Sequence, residues 1–186
     1  MAIKTFTTGE VLTASDTNTY LANAGLVTIA SATLSGVTNT ISNVFNSTFT
    51  SYRIVVTGLN NATTTTRTLN MRIGTDTTAN YNWGHGFIYG AGSNGITGAT
   101  GATASTLGNL SQFDGQSFVL DIHNPNVATP TAWTFQMNTY QSDVAAVVYR
   151  HGYGFHNVST AFTGFQLIGG TDNLSGTVTV YGYRTV

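Results

Sequence analysis

Acidic residues and histidines are the side chains through which this chain could carry out acid–base or metal chemistry. The 186-residue sequence contains seven acidic residues and four histidines. Cleavage of a glycosidic bond needs two positioned carboxylates. Most of the acidic residues fall at predicted caps and turns instead, where aspartate is common for structural reasons. They are Glu10, Asp16, Asp76, Asp114, Asp121, Asp143 and Asp172.

The sequence lacks the residues that usually carry out nucleophilic catalysis. There is no cysteine and no Gly-x-Ser-x-Gly motif, so neither a thiolate nor a nucleophile elbow is available. Asp121 and His123 lie on one face of a predicted strand, and we interpret them as a local hydrogen-bonded pair rather than a catalytic dyad. We therefore expect a non-enzymatic protein that carries no cofactor.

The histidines do not predict a metal site. His151 and His156 occupy positions that fall on opposite faces of a regular strand. Two histidines at i and i+2 would face the same way, but the sequence contains no such pair. Zinc sites built on cysteine are excluded because the chain has none. We expect no bound metal.

A run of aromatic side chains is the strongest candidate for a binding site. Residues two apart in a strand lie on the same face, so these rings form one stripe. We favour packing in the core, because aromatic side chains dominate cores. The alternative is an exposed platform at a subunit interface or a sugar site, and the glycines between the rings would allow close approach on the other face. The stripe consists of Tyr81, Trp83, His85, Phe87 and Tyr89, and Tyr149, Tyr153 and Phe155 could join it.

These candidate residues would be positioned by β-strands. A period of two between apolar and polar residues, in segments rich in β-branched and aromatic residues, predicts half-buried strands. Turn signals separate about nine or ten such segments. The expected fold class is all-β, a jelly-roll-like β-sandwich with a short N-terminal helical segment. The clearest strand segments are 27–34, 37–45, 51–59, 69–73, 118–123, 133–138 and 178–180.

The glycine-rich segment 90–108 interrupts this pattern. Gly-x-Thr triplets begin at Gly95, Gly98 and Gly101. They are too few for a collagen-like helix, which also favours proline. We expect a long surface loop, of the kind that carries binding surfaces on rigid β-sandwiches.

The N-terminal segment contains the one helix signal. Thr13 suits the N-cap, and Asp16 suits the positive end of the helix. Gly25 suits the residue that follows a helix. Tyr20 and Leu21 would share one apolar face. Because a helix of about three turns is marginal alone, this face would need to dock on another surface.

Composition limits the partners of the chain. Charged residues make up 7% of the sequence, against about 25% in ordinary soluble domains, and the net charge is −1. No basic track for phosphates can form, so we expect no nucleic acid partner. No apolar stretch approaches about 18 residues, so we expect no membrane span. Subunit interfaces are depleted in charge, and the low charge favours a homo-oligomer, with a trimer preferred.

Two stretches resemble structural proteins of tailed bacteriophages. Residues 6–26, Phe-Thr-Thr-Gly-Glu-Val-Leu-Thr-Ala-Ser-Asp-Thr-Asn-Thr-Tyr-Leu-Ala-Asn-Ala-Gly-Leu, look like the N-terminal segment of many such proteins, including tail-fibre-like ones. Residues 162–170 and 174–183 are similar to the closing strands of a β-sandwich domain common in phage structural proteins. The resemblance implies a virion protein whose N-terminal segment attaches it to other virion components, on the tail or on the head.

We therefore expect two parts, an attachment and oligomerisation segment at 1–26 and a displayed β-sandwich at 27–186. The attachment contacts are assigned to Val11, Leu12, Tyr20 and Leu21. Two alternatives stay open. One is a carbohydrate- or host-receptor-binding module, in which the aromatic stripe binds a glycan of the host surface. The other is a capsid decoration protein of the cement or head-fibre kind.

Overall fold

The computed structural model describes residues 7–11, 13–16, 25–90 and 92–184. Almost all regular structure in these residues is β-strand. The one helical element among them is a three-residue turn, α1 (Ala14–Asp16). The strands are β1 (Leu26–Leu34), β2 (Thr38–Ile41), β3 (Ser51–Asn61), β4 (Arg67–Ile73), β5 (Tyr81–Tyr89), β6 (Asn94–Ala102), β7 (Ser105–Leu110), β8 (Gln116–His123), β9 (Thr131–Gln141), β10 (Ala146–His156), β11 (Phe165–Ile168) and β12 (Leu174–Tyr183).

The strands form two antiparallel sheets. The larger sheet has eight strands in the order β1-β12-β3-β8-β9-β10-β5-β6, and the smaller has four in the order β2-β11-β4-β7. Along the chain, any two strands of the smaller sheet are separated by at least one strand of the larger. The chain therefore crosses repeatedly between the two layers. The expected all-β, sandwich-like fold is confirmed.

The core lies between the sheets and follows the predicted alternation. Tyr52, Ile54 and Val56 of β3 have no exposed surface, and the residues between them face outwards. Burial of a side chain of this size contributes about 1.5–3 kcal/mol to stability. The same pattern buries Leu69, Met71 and Ile73 on β4, Phe118, Leu120 and Ile122 on β8, Trp133, Phe135 and Met137 on β9, and Val178 and Val180 on β12.

The predicted N-terminal helix is not supported. In the described part of the chain, helical structure is limited to α1. Gly25, expected just after the helix, has a φ of +97° in a bend that leads into β1. Residues 17–24 of the predicted helix lie outside the described residues. Composition argues against a long helix, because residues 13–19 are mostly Thr, Ser, Asn and Asp, which are weak helix formers. No helix within the described ranges is long and apolar enough to span a membrane.

The predicted attachment residues are only partly described. The backbone at residues 7–10 forms a turn, in which the Glu10 amide donates to the Thr7 carbonyl at 3.0 Å. Val11 follows this turn with 79% of its surface exposed. Leu12, Tyr20 and Leu21 lie outside the described residues. Their attachment role stays a prediction.

The prediction of a long loop at 90–108 is wrong over most of its length. This segment contains β6 and most of β7. The glycines allow β6 to lie close against β5. A Cβ atom at Gly95 would be 2.5 Å from Cζ of Phe87, and one at Gly98 would be 2.7 Å from the Trp83 carbonyl oxygen. Glycine here permits strand pairing rather than loop flexibility.

Candidate functional site

The predicted aromatic stripe lies on the inward face of β5, in register with core positions of β10 and β9. Tyr81 is fully buried and His85 is 6% exposed, whereas Trp83, Phe87 and Tyr89 are half-buried. Neighbouring rings touch, with centroids 5.6 Å apart for Trp83 and His85. Tyr81 and His85 offer almost no surface to a ligand, which fits the packing interpretation. A binding role for the stripe stays a prediction.

A second line of rings lies on the opposite, outward face of the same sheet. Paired residues of neighbouring antiparallel strands share a face, and Tyr153 of β10 pairs with Gly84, not with a ring of the stripe. Tyr149 and Phe155 alternate with buried residues in the same way. The expectation that these rings could join the stripe is therefore wrong. Tyr153 is 65% exposed.

A groove of about 1340 Å³ runs over this outward face, and we call it the outer groove. Its lining extends from β3 across β8, β9, β10 and β5 to β6, the strand at the edge of the sheet. Ile96 of β6 lines it with 90% of its surface exposed. The groove-lining side chains that matter chemically are Arg53, Asp121, Thr134, Gln136, His151 and Tyr153.

An ion pair closes one end of the outer groove. Arg53 donates from Nε to Oδ1 of Asp121 at 2.9 Å and from Nη2 to Oδ2 at 2.8 Å. The hydroxyl of Tyr183 donates to the same Oδ1 at 2.7 Å. Burial would raise the pKa of Asp121, but the hydrogen bonds from Arg53 and Tyr183 outweigh it and hold that pKa below its ordinary value. Burial, together with the bond to Asp121, raises the pKa of Tyr183 to about 12.

Polar groups in the middle of the groove are available to a ligand. The side chains of Thr134 and Gln136 are exposed. Within the described part of the chain, neither they nor the Tyr153 hydroxyl form a hydrogen bond. Unpaired hydroxyl and amide groups in a concavity fix the orientation of a bound molecule.

A buried arginine lies beneath the groove, on the inward face of β10. Arg150 is 2% exposed and donates to the Asn109 carbonyl at 3.3 Å and to the Thr139 hydroxyl at 2.7 Å. It also donates to Gln141, whose amide donates to Asp143 at 3.2 Å. Burial lowers the pKa of Arg150 to about 10. Its hydrogen bonds join β10 to β9 and β7, which is a structural role.

Two buried histidines also have structural roles. Burial, with a contribution from nearby Arg150, lowers the pKa of His85 to about 4. His156 has no exposed surface, and its Nε2 lies 2.9 Å from Oδ2 of Asp76. Burial lowers the pKa of His156 although the Asp76 carboxylate opposes the shift. Its ring stacks on Tyr81 with centroids 4.2 Å apart. Neutral rings packed in this way serve the core.

The predicted pair of Asp121 and His123 does not form. Each is hydrogen-bonded instead to the residue opposite it on β3, Asp121 to Arg53 and His123 Nδ1 to the Ser51 hydroxyl at 3.0 Å. Cross-strand partners are simply closer than residues two apart along a strand. The Asp121 carboxylate is thus engaged elsewhere and does not orient His123 for catalysis.

The prediction that His151 and His156 lie on opposite faces of a strand agrees with the structure. His151 is exposed and His156 is buried, on opposite faces of β10. Among the described residues, no group of three or more histidine, aspartate or glutamate side chains could hold a metal ion.

The outer groove was missed from the sequence, although a signal for it is present. Aromatic residues recur with a period of two at Tyr149, His151, Tyr153 and Phe155, as they do in the stripe. Only the register with β5 reveals that the two runs face opposite ways. The glycines that alternate with the stripe are the visible hint, because Gly84 leaves room for the Tyr153 ring on the outward face.

The groove presents an exposed ring, hydroxyl and amide groups and an internally neutralised ion pair, an arrangement that suits binding. No family model matches the chain, and no curated protein or solved structure is significantly similar to it. Its function must therefore be inferred from its own residues and geometry.

Proposed function

We propose that the chain is a non-enzymatic structural protein of a tailed-phage virion, tail-fibre-like or tail-tip-like in role. Residues 1–26 attach it to the particle, and residues 27–186 form the displayed β-sandwich. The observation that carries the proposal is the resemblance of residues 6–26 to phage attachment segments, followed by an all-β body whose first strand begins at Leu26. Its partners are other virion proteins.

The attachment role is tested by particle assembly with a shortened chain. Removing residues 1–24 leaves Gly25 and the whole of β1 in place. We expect the shortened protein to be lost from purified particles while its circular dichroism spectrum remains that of a β-protein. Normal incorporation of the shortened protein would contradict the proposal. Electron microscopy of labelled particles decides between a tail location and the alternative of capsid decoration.

The proposal includes a homo-oligomeric state, with a trimer as the favoured form. A charged fraction of 7% supports this, since interface cores are depleted in charge. Val11, which is 79% exposed, is available for contacts with a neighbouring subunit. Native mass spectrometry at high protein concentration tests the claim, and a strict monomer would contradict it.

A second candidate function is binding of a host receptor, and it is compatible with the first. The observation that favours it is the outer groove, in which Tyr153 is 65% exposed beside unpaired polar groups of β9. A protein displayed at a tail tip could both build the particle and contact the host. Binding of the purified protein to host cells tests this role.

We also propose that the two-sheet fold is of the jelly-roll type. Each connection between strands of the smaller sheet passes through the larger sheet, as Greek-key connections do. In this interpretation β5, β6, β9 and β10 extend one edge of the larger sheet beyond a jelly-roll core of the remaining eight strands.

A further inference from the structure

We propose that the outer groove binds an uncharged oligosaccharide, with Tyr153 as the stacking platform and Thr134 and Gln136 as hydrogen-bonding groups. This inference rests on the receptor-binding function proposed above and names its ligand class. It places the ligand on the outward face of β9 and β10, opposite the aromatic stripe.

The position of the Tyr153 ring supplies the platform. Its hydroxyl and ring carbons lie 3.2–3.5 Å from the point that a Cβ atom would occupy at Gly84. The ring therefore lies down over the β5 backbone instead of extending into solvent, and 65% of the residue stays exposed. The side of the ring towards Gly84 is covered, and most of the rest of the residue is open to a ligand. The C–H face of a pyranose is apolar and can cover such a ring.

Hydrogen-bonding groups stand beside this ring. Thr134 pairs directly with Tyr153, and Gln136 pairs with His151, so their side chains point to the same side of the sheet. Directly opposite residues have Cβ atoms about 4.5–5.5 Å apart. Hydroxyl, amide and phenol groups without partners in the described part of the chain match the donors and acceptors of sugar hydroxyls.

The charged residues of the outer groove favour an uncharged ligand. Among the described residues that line the groove, Arg53 is the only arginine or lysine, and both oxygens of Asp121 already occupy its Nε and Nη2. A carboxylate or sulfate on the ligand would compete with Asp121 for the same cation. The described lining thus offers an acidic sugar no arginine or lysine that an acidic side chain does not already neutralise.

Size favours a chain of sugar units. The groove volume of about 1340 Å³ exceeds the roughly 300–1,000 Å³ of common small-molecule pockets. A second copy of the protein is the main competing occupant, since Ile96 is 90% exposed at the groove edge. The polar residues of the floor, which an apolar subunit interface would leave unpaired, favour the oligosaccharide.

The test uses the full chain on an array of neutral, sialylated and sulfated glycans, followed by titration calorimetry with the best neutral glycan. We expect neutral glycans to bind. Tyr153→Ala should weaken binding by about tenfold or more through lost stacking, and Tyr153→Phe should keep most of the affinity. Phe155→Ala is the matched control, because Phe155 lies on the same strand and face, is 39% exposed, and does not line the groove.

Several results would overturn the inference. One is binding of acidic glycans alone. Another is a loss of glycan affinity in Phe155→Ala that equals the loss in Tyr153→Ala. The third is the absence of glycan binding at millimolar concentration. If Tyr153→Ala fails to fold, Gln136→Ala on the exposed face of β9 replaces it, with the same expected weakening. Host-cell binding that persists in Tyr153→Ala would overturn the groove as the glycan site and leave the receptor function standing. The virion proposal is tested separately, by whether the protein without residues 1–24 is still incorporated into particles.

Discussion

At the residue scale, the described glycine that leaves the least room for a side chain is Gly154, where β10 passes the indole of Trp133. A Cβ atom at Gly154 would be 2.1 Å from Cζ2 of Trp133, and Trp133 is 1% exposed, so the ring has no free space to move into. We expect Gly154→Ala to lower the free energy of unfolding by about 3 kcal/mol or more, through overpacking. Urea denaturation measures the change.

The matched control for this substitution is Gly36→Ala. A Cβ atom at Gly36 would lie 3.5 Å from the nearest atom, the Thr38 carbonyl oxygen, which is ordinary contact. We expect its effect on the free energy of unfolding to stay within about 0.5 kcal/mol. If the two variants are equally stable, Trp133 does not constrain β10 as the structure indicates.

Histidine burial predicts a pH dependence of stability. The pKa of His85 is lowered to about 4, and that of His156 is also lowered, from an unfolded value of about 6.5. Below that value the unfolded chain binds more protons than the folded one. The free energy of unfolding is therefore highest above about pH 6.5 and decreases as the pH falls towards 4. Each such histidine lowers it by at most about 1.4 kcal/mol per pH unit.

Chemical denaturation between pH 7 and pH 4.5 measures this slope. We expect His85→Gln to reduce it, because glutamine does not titrate. A wild-type free energy of unfolding that is constant over this range would show that His85 and His156 titrate normally in the folded protein.

The residue patterns predicted which side chains share a face of a strand. They did not predict whether that face lies in the core or in solvent. The alternation of Tyr52, Ile54 and Val56 predicted a buried face, and all three are buried. The run from Tyr81 to Tyr89 and the run from Tyr149 to Phe155 have the same period, yet they face opposite ways. Burial depends on which layer covers a sheet face, and a single strand does not encode that.

At the element scale, β6 depends on glycine for its place at the sheet edge. A Cβ atom at Gly98 would be 2.7 Å from the Trp83 carbonyl oxygen and 3.3 Å from Cα of Gly84, and both are backbone atoms of β5. We expect Gly98→Ala to loosen β6 from β5. Hydrogen exchange of the amides at 94–102 should become faster, while exchange in β3 and β8, inside the same sheet, should not change.

The neighbouring exposed residue supplies the comparison for this edge. Thr97→Ala removes a side chain next to Gly98 without adding an atom near β5. It should leave exchange in β6 close to that of the unmodified protein. Equal exchange in β6 for the unmodified chain and for Gly98→Ala would contradict the close approach of the two strands.

Segment 90–108 is the element for which the structure contradicts the sequence-based expectation. Its glycines predict a loop because glycine is a poor strand former alone, but pairing with β5 stabilises β6 as a strand. The helix predicted from the capping residue Thr13 is described only at α1, and the Thr, Ser, Asn and Asp residues of that segment are weak helix formers. Capping and turn signals mark boundaries, whereas tertiary pairing decides the state between them.

At the scale of the whole molecule, we expect the sandwich to unfold as one cooperative unit. Its two sheets share a single cluster of buried residues that includes Tyr52, Trp133 and Phe165. The described N-terminal residues 7–11 and 13–16 contribute no member to this cluster. The division near residue 26 stays a prediction, made from the change from capping residues to β-branched residues there, and β1 begins at Leu26.

This division predicts that residues 25–186 fold alone. The shortened chain keeps all twelve strands and the hydrogen bond from the Arg184 amide to the Gly25 carbonyl at 3.2 Å. We expect one unfolding transition in calorimetry, with a midpoint within about 2 °C of the full chain, since a loss of 1 kcal/mol shifts the midpoint of a domain this size by about 2–4 °C or more. A clearly lower midpoint would mean that residues 1–24 pack on their own sandwich. An unchanged midpoint would leave Tyr20 and Leu21 free to dock on sister subunits or on another virion component.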